Sequence, residues 1–145
     1  MSSISFKVIG DIVGKERPRF NRYTGSTYTP SKTHKYEDRV KTAYICKYPS
    51  GVWVQNKEQP IGVSRMEFHF KMPASWSKKK KERFRLQWCM KKIDLDNCYK
   101  SVTDALVGTA YLDDSQICGI FGPVIKVWDN EEFVKVELTE LEGEE

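Results

Sequence analysis

Four stretches alternate apolar and polar side chains, and this period of two limits the chain to folds built on a half-buried sheet. In ISFKVIG (4–10), Ile4, Phe6 and Val8 alternate with Ser5 and Lys7. In IGVSRMEFHFK (61–71), Met66, Phe68 and Phe70 face one way and Glu67, His69 and Lys71 the other. QICGIFGPVIKVW (116–128) and FVKVELT (133–139) read as two more strands, joined by the turn DNEE. Pro123 marks the first of these as an edge strand or one carrying a bulge. Elsewhere the period changes to that of a helix. Tyr36, Val40, Ala43, Tyr44 and Lys47 recur at three and four, which predicts a helix from Thr33 to about Tyr48. Ser31 or Thr33 could cap it, and Pro49 with Gly51 ends it. Leu95, Tyr99, Val102 and Leu106 predict a second helix over 95–107, with Gly108 just past its end. Ser77 could cap a short third helix in SWSKKKKERFRLQWCMKK (75–92), and GKERPRFNRYTGSTYTP (14–30) reads as a loop or irregular hairpin turning at Thr24–Gly25–Ser26. The expected fold is a single α/β (α+β) layered domain over 1–145, a mixed or mainly antiparallel sheet packed with two to three helices, with a frayed acidic tail at 140–145.

Charge is unevenly distributed. Residues 1–93 hold 21 Lys/Arg against 7 Asp/Glu, and residues 94–145 hold 3 against 13, although the whole chain carries only +4. A positive half attracts a polyanion, and nucleic acid is the commonest one. The alternative is that the two halves neutralise each other within the fold. No apolar run approaches the ~20 residues of a membrane span, and no secretion signal opens the chain. The cysteines Cys46, Cys89, Cys98 and Cys118 form no CxxC pair and read as reduced intracellular thiols, so a cytoplasmic protein is expected.

The run IDLDNCYKSVTDALVGTAYLDDSQI (93–117) gathers Asp94, Asp96, Asp104, Asp113 and Asp114 with one cation, Lys100. Aspartates at the start of a helix have an ordinary explanation, since they accept from free N–H groups and oppose the dipole. Adjacent Asp113 and Asp114 repel each other and suit either a solvated loop or a ligand. Together the two acidic pairs form an oxygen donor set for a hard divalent cation. Asp94 and Asp96 converge only if Asp94 is the N-cap. Asp96, Lys100 and Asp104 form a polar stripe while Leu95, Tyr99, Val102 and Leu106 pack inward. A helix of roughly 20 Å and a seven-residue return of at most about 23 Å make meeting Asp114 within one chain possible but nearly taut; supply of Asp114 by a second chain is the alternative.

These residues resemble the RusA family of Holliday junction resolvases, small endodeoxyribonucleases often carried by phages and prophages. Asp94–Leu95–Asp96–Asn97, Lys100, Asp104–Ala105–Leu106, Gly108 and Asp113–Asp114–Ser115–Gln116–Ile117 match its pattern. KERPRF (15–20), TYTP (27–30), Tyr36–Glu37 and SWSKKKK (75–81) resemble its upstream half. Ile93 stands where a proline usually precedes the first aspartate, and Phe84, Leu86, Trp88 and Met90 give 82–92 an unusual apolar content. The resemblance implies a Mg²⁺-dependent homodimer (Mn²⁺ being a possible substitute) that nicks two strands of a four-way DNA junction in recombination and repair. Non-catalytic DNA binding and a broader branched-DNA specificity are the rival readings. It implies that Asp94, Asp96 and Asp114 are metal-binding catalytic acids and Lys100 the catalytic lysine, with Asp113 and Asp104 supporting. Lys15, Arg17, Arg19 and Arg22, interleaved with Phe20 and Tyr23, form a candidate DNA-binding cluster, the alternative being a solvated loop. Lys78, Lys79, Lys80 and Lys81 are either a phosphate-binding stripe or a solvated helix face. His34 and His69 read as surface or capping residues, and Trp53, Trp76, Trp88 and Trp128 as core or dimer-interface anchors.

Overall fold

The computed structural model describes residues 2–16, 19–28 and 31–142, with Arg19 described in its backbone alone. Strand β1 (Ser3–Ile9) follows the predicted alternation, burying Ile4, Phe6 and Val8. The basic segment forms a small hairpin, β2 (Arg19–Phe20) against β3 (Thr27–Tyr28). Its turn runs through Gly25 at φ 71°, with the Asn21 N–H donating to the Ser26 carbonyl. Helix α1 (Ser31–Lys47) buries Thr33, Tyr36, Val40 and Tyr44. Then come β4 (Ile61–Lys71), the short α2 (Lys78–Phe84) and α3 (Leu95–Leu106). A 3₁₀ turn (Asp114–Gln116) leads into β5 (Ile117–Ile120), followed by β6 (Val124–Asp129) and β7 (Phe133–Glu140).

The sheet is mixed. β7 lies between β1 and β4 and is antiparallel to both, while β5 and β6 run parallel to β4. The predicted strand over 116–128 is therefore two strands end to end along one edge of β4. The break falls at Phe121–Gly122–Pro123. There the Pro123 carbonyl accepts from Met66 N–H, and a Cβ on Gly122 would lie 1.8 Å from the Ser64 carbonyl oxygen. Pro123 thus marks an irregularity, as its missing N–H predicts.

Helices α1 and α3 pack on each other and cover one face of this sheet. Tyr36, Tyr44, Phe68, Phe70, Leu106 and Leu138 lie among the fully buried side chains between these layers. The buried face of α3 is rotated from the expected one. Cys98, Val102, Ala105 and Leu106 face the core, while Leu95 is 36% exposed, because the helix leans on α1 as well as on the sheet. On the outer side of β6, Leu86, Gln87 and Cys89 exchange backbone hydrogen bonds with Lys126 and Trp128. This places Trp88 opposite Val127 with its ring 71% exposed, so Trp88 is not a core anchor of the chain. Trp76 is held between Phe84 and Trp128, at 5.4 and 5.1 Å between ring centroids. Glu140 and Leu141 are tied by backbone bonds to Ser2 and Pro60; residues 143–145 lie outside the described residues. Among the described residues, no helix is long and apolar enough to cross a membrane.

Candidate active site

The N-terminus of α3 is fixed by two elements that arrive from distant parts of the sequence, β6 and the segment 13–15. Lys126 of β6 donates its ammonium to the carbonyls of Lys91 and Ile93, both at 2.6 Å, which orients the chain just before Asp94. Ser101 donates its hydroxyl to the Val13 carbonyl at 2.7 Å, and the Lys15 N–H donates to the Asn97 carbonyl at 2.9 Å. Between those bonds Gly14 lies flat on the helix. A Cβ there would meet Ile93 Cγ2 at 2.8 Å and Asn97 Cβ at 3.4 Å. Ile93 packs on Gly14 and donates its N–H to the Lys91 carbonyl, a bond the proline of the resembled pattern could not make.

Asp94 occupies the N-cap position in extended geometry, yet its side chain makes no capping hydrogen bond. The ordinary capping role is therefore unfilled, and Asp94 lines a cavity of about 250 Å³ with Gly14, Lys15, Lys32, Lys92 and Asn97. Asp96 and Lys100 project from the exposed stripe of the helix. Among the described residues, no ion pair involves Asp94, Asp96, Lys100 or Asp114.

Asp113 and Asp114 are brought back along α3, though only as far as its C-terminal half. The Tyr111 hydroxyl donates to the Thr103 carbonyl at 2.6 Å and folds the return segment tightly. Gln116, 3% exposed, then locks it. Its carbonyl oxygen accepts from the N–H groups of Leu112 and Asp113, and its amide donates to the carbonyls of Asn56 and Gln59. Asp113 caps the 3₁₀ turn by accepting from the Ser115 N–H at 2.9 Å. That bond holds its carboxyl below the usual aspartate range. Asp113 is thus an architectural acid, and Asp114 beside it stays exposed. Asp104, Val107, Asp113 and Asp114 line a second depression of about 340 Å³. Asp94 lies ten residues before Asp104, about 15 Å away along the helix. Among the described residues, no three His, Cys, Asp or Glu side chains come together as a metal cluster within the chain.

The basic residues divide. Lys15 donates to Glu37 of α1 at 2.6 Å and also lies 3.5 Å from Asp104 of α3. Burial opposes its charge, but Glu37 and Asp104 outweigh that and raise its pKa above the usual lysine value. The sequence neighbourhood offered Lys15 only Glu16; the fold supplies two more acids. Arg22 is exposed on the hairpin beside Phe20, 64% exposed, and Tyr23, 94% exposed. Arg17 lies outside the described residues, and of Arg19 only the β2 backbone is described. On α2, capped by Ser77 as predicted, Lys78 and Lys79 are exposed and Lys81 is half-buried, while Lys80 lies over the Trp76 ring at 4.2 Å.

His34 is exposed, but His69 is not the surface residue its strand position suggested. It is 5% exposed, stacked on Phe133, with Asp129 2.8 Å from Nδ1 and Glu67 3.1 Å from Nε2. This cluster lies on the sheet face away from α1 and α3 and takes no part in the carboxylate site. All four cysteines are free.

The exposed carboxylates along one amphipathic helix of this basic α+β domain are oxygen donors of the kind a hard cation takes. The chain belongs to the endodeoxyribonuclease RusA family, whose pattern it matches over residues 10–139. It is also 31% identical over 149 residues to YqaN of Bacillus subtilis (strain 168), described as an uncharacterized protein, covering 97% of this chain and 99% of that one.

Proposed function

We propose that the protein resolves four-way DNA junctions by paired hydrolytic nicks, acting as a homodimer with a divalent cation, Mg²⁺ or Mn²⁺. The observation that carries this reading is the Asp94 carboxylate, which sits at a helix N-cap without capping it. It stands beside Asp96 and Lys100, which take no protein partner among the described residues. An all-carboxylate donor set fits a hard cation, and Asp94, Asp96 and Asp114 would hold it. The separation of Asp114 from Asp94 along α3 favours supply of Asp114 by the second copy of the chain. A bound cation supplies a lowered pKa for the attacking water and neutralises charge on the phosphoryl oxygens.

The chain's own residues do the rest. Lys100, one turn beyond Asp96, steadies the negative phosphoryl group and the leaving oxygen as water attacks phosphorus and the P–O bond to the leaving strand breaks. Arg17, Arg19 and Arg22, with Lys78, Lys79 and Lys81, contact the backbone of the arms, and Phe20 and Tyr23 stack on bases opened at the crossover. A four-way junction is two-fold symmetric, so a two-fold dimer offers one site to each of two equivalent strands.

The test compares cleavage of synthetic four-way, Y-shaped and linear DNA by wild type and Asp96→Asn. Wild type should cut the four-way junction with divalent metal and stop when it is chelated. Asp96→Asn keeps the shape and loses the charge, so it should bind the junction at least as tightly while cleavage falls by about two orders of magnitude or more. Equal cutting of all three substrates would replace junction resolution by a broader branched-DNA nuclease. Junction binding without cutting under any metal would leave a non-catalytic DNA-binding protein.

A further inference from the structure

We propose that Glu37 is a positioning residue that clamps the base of the DNA-gripping hairpin to the active-site helix through Lys15. The inference rests on the nuclease reading above, but its physical core does not. Glu37 is 14% exposed, on α1, and takes the Lys15 ammonium at 2.6 Å, while Asp104 on α3 shares it at 3.5 Å. One lysine therefore ties α1 and α3 to the strand-to-hairpin segment. The same segment is bound to α3 by the Lys15 N–H to the Asn97 carbonyl and the Ser101 hydroxyl to the Val13 carbonyl, with Gly14 packed flat between. Asn97 stands one residue after Asp96, and Lys15 stands four before Arg19. The clamp thus joins the residues proposed to grip DNA to those proposed to cut it. A lysine neutralised by two carboxylates is a poor phosphate ligand, so its place in a basic cluster is better explained by anchoring than by contact.

Two physical effects of removing Glu37 have opposite signs, which makes the idea decidable. If Glu37 is only a negative charge near DNA, Glu37→Met removes repulsion and frees Lys15, so junction binding tightens. If Glu37 is a clamp, the hairpin base loosens and must be reordered on binding, so the dissociation constant for a synthetic four-way junction rises by about three- to tenfold. Glu37→Gln keeps the shape and an acceptor and should fall between. In a Lys15→Met background, Glu37→Met should add less than about twofold, because the partner through which it acts has gone. A DNA-free readout separates this from the proposed function. Hydrogen exchange at the Lys15 amide should quicken by about tenfold in Glu37→Met, while the amides of β4 and β7 keep their protection. Unchanged exchange at Lys15, tighter junction binding, or additive losses in the double variant would each overturn the clamp. A uniform loss of protection across the sheet would overturn it as well, assigning Glu37 to global stability. If wild type binds no junction DNA, the nuclease reading fails and the exchange result still decides the clamp.

Discussion

His69 stands between two carboxylates, one beside each ring nitrogen, and that arrangement sets an expectation for stability against pH. Burial opposes the charge of Glu67, but the hydrogen bond from His69 and the guanidinium of Arg65 outweigh it, leaving its pKa below the ordinary 4.5. Burial likewise opposes the charge of Asp129. The Asn130 N–H, His69 and Arg85 overcome it and leave the pKa below the ordinary 3.8. Folded values lower than unfolded ones mean stability that is present above those ordinary values and lost as pH falls through and below them. His69→Leu removes a partner from both acids and should cost about 1–3 kcal/mol at pH 7. It should also flatten the fall in stability between roughly pH 5 and pH 3, since less is left to lose. Urea unfolding of wild type and variant across that range checks both. An unchanged acid limb would mean that Arg65, Arg85 and Asn130 alone hold the two carboxylates. Asp104, Asp113 and Gln116 belong to the same scale. The motif made Asp104 and Asp113 candidates for support and carried Gln116 without a role, and the bonds around them give each a structural duty.

At the scale of elements, α3 is an amphipathic helix whose functional end is held from outside. Its period and its Gly108 stop are plain in the sequence, and Gly108 takes φ 78° as a residue past a helix end does. Nothing in that pattern says that residues 13–15 lie along its first turns. Gly14→Ala tests this contact. The added methyl group would lie 2.8 Å from Ile93 Cγ2, so the segment must lift or Ile93 must move. The expected cost is about 1–3 kcal/mol in overall stability, as for overpacked sites, with a fall in cleavage larger than the fall in junction binding because Asp94 follows Ile93 directly. Denaturant unfolding and single-turnover cleavage read the two effects. Equal wild-type behaviour in both would mean that the segment can shift without disturbing the carboxylates.

For the molecule as a whole, the helices cover one face of the sheet, the hairpin projects a basic and aromatic tip, and the acids line the exposed side of α3. Contacts to phosphates should make junction binding fall steeply with salt, with a log–log slope of about −0.9 for each phosphate neutralised on duplex DNA. Replacing Arg17 and Arg19 with Ala should weaken binding and flatten that slope by up to about two, while the single-turnover rate at saturating protein changes much less. An unchanged slope would make the hairpin a solvated loop. A large loss of rate with normal binding would move it into the active site.

Most of the element plan was legible because it depends on local periodicity. β4 spans the eleven residues its alternation predicts, and α2 begins after the serine that could cap it. The site was legible as a set of residue types, because carboxylates without sequence-local partners stand out against a basic background. Tertiary structure alone decided their relations. It split 116–128 into two strands where Ser64 and Gly122 approach too closely for a side chain, and it buried His69 between acids from two strands. It gave Lys15 partners 22 and 89 positions away. It also stopped the return of Asp114 at the far half of α3, because Tyr111 hooks onto Thr103. Periodicity records which face of an element is buried. It does not record which distant side chain is placed against it, and that placement is what turns separate acids and bases into a clamp or a site.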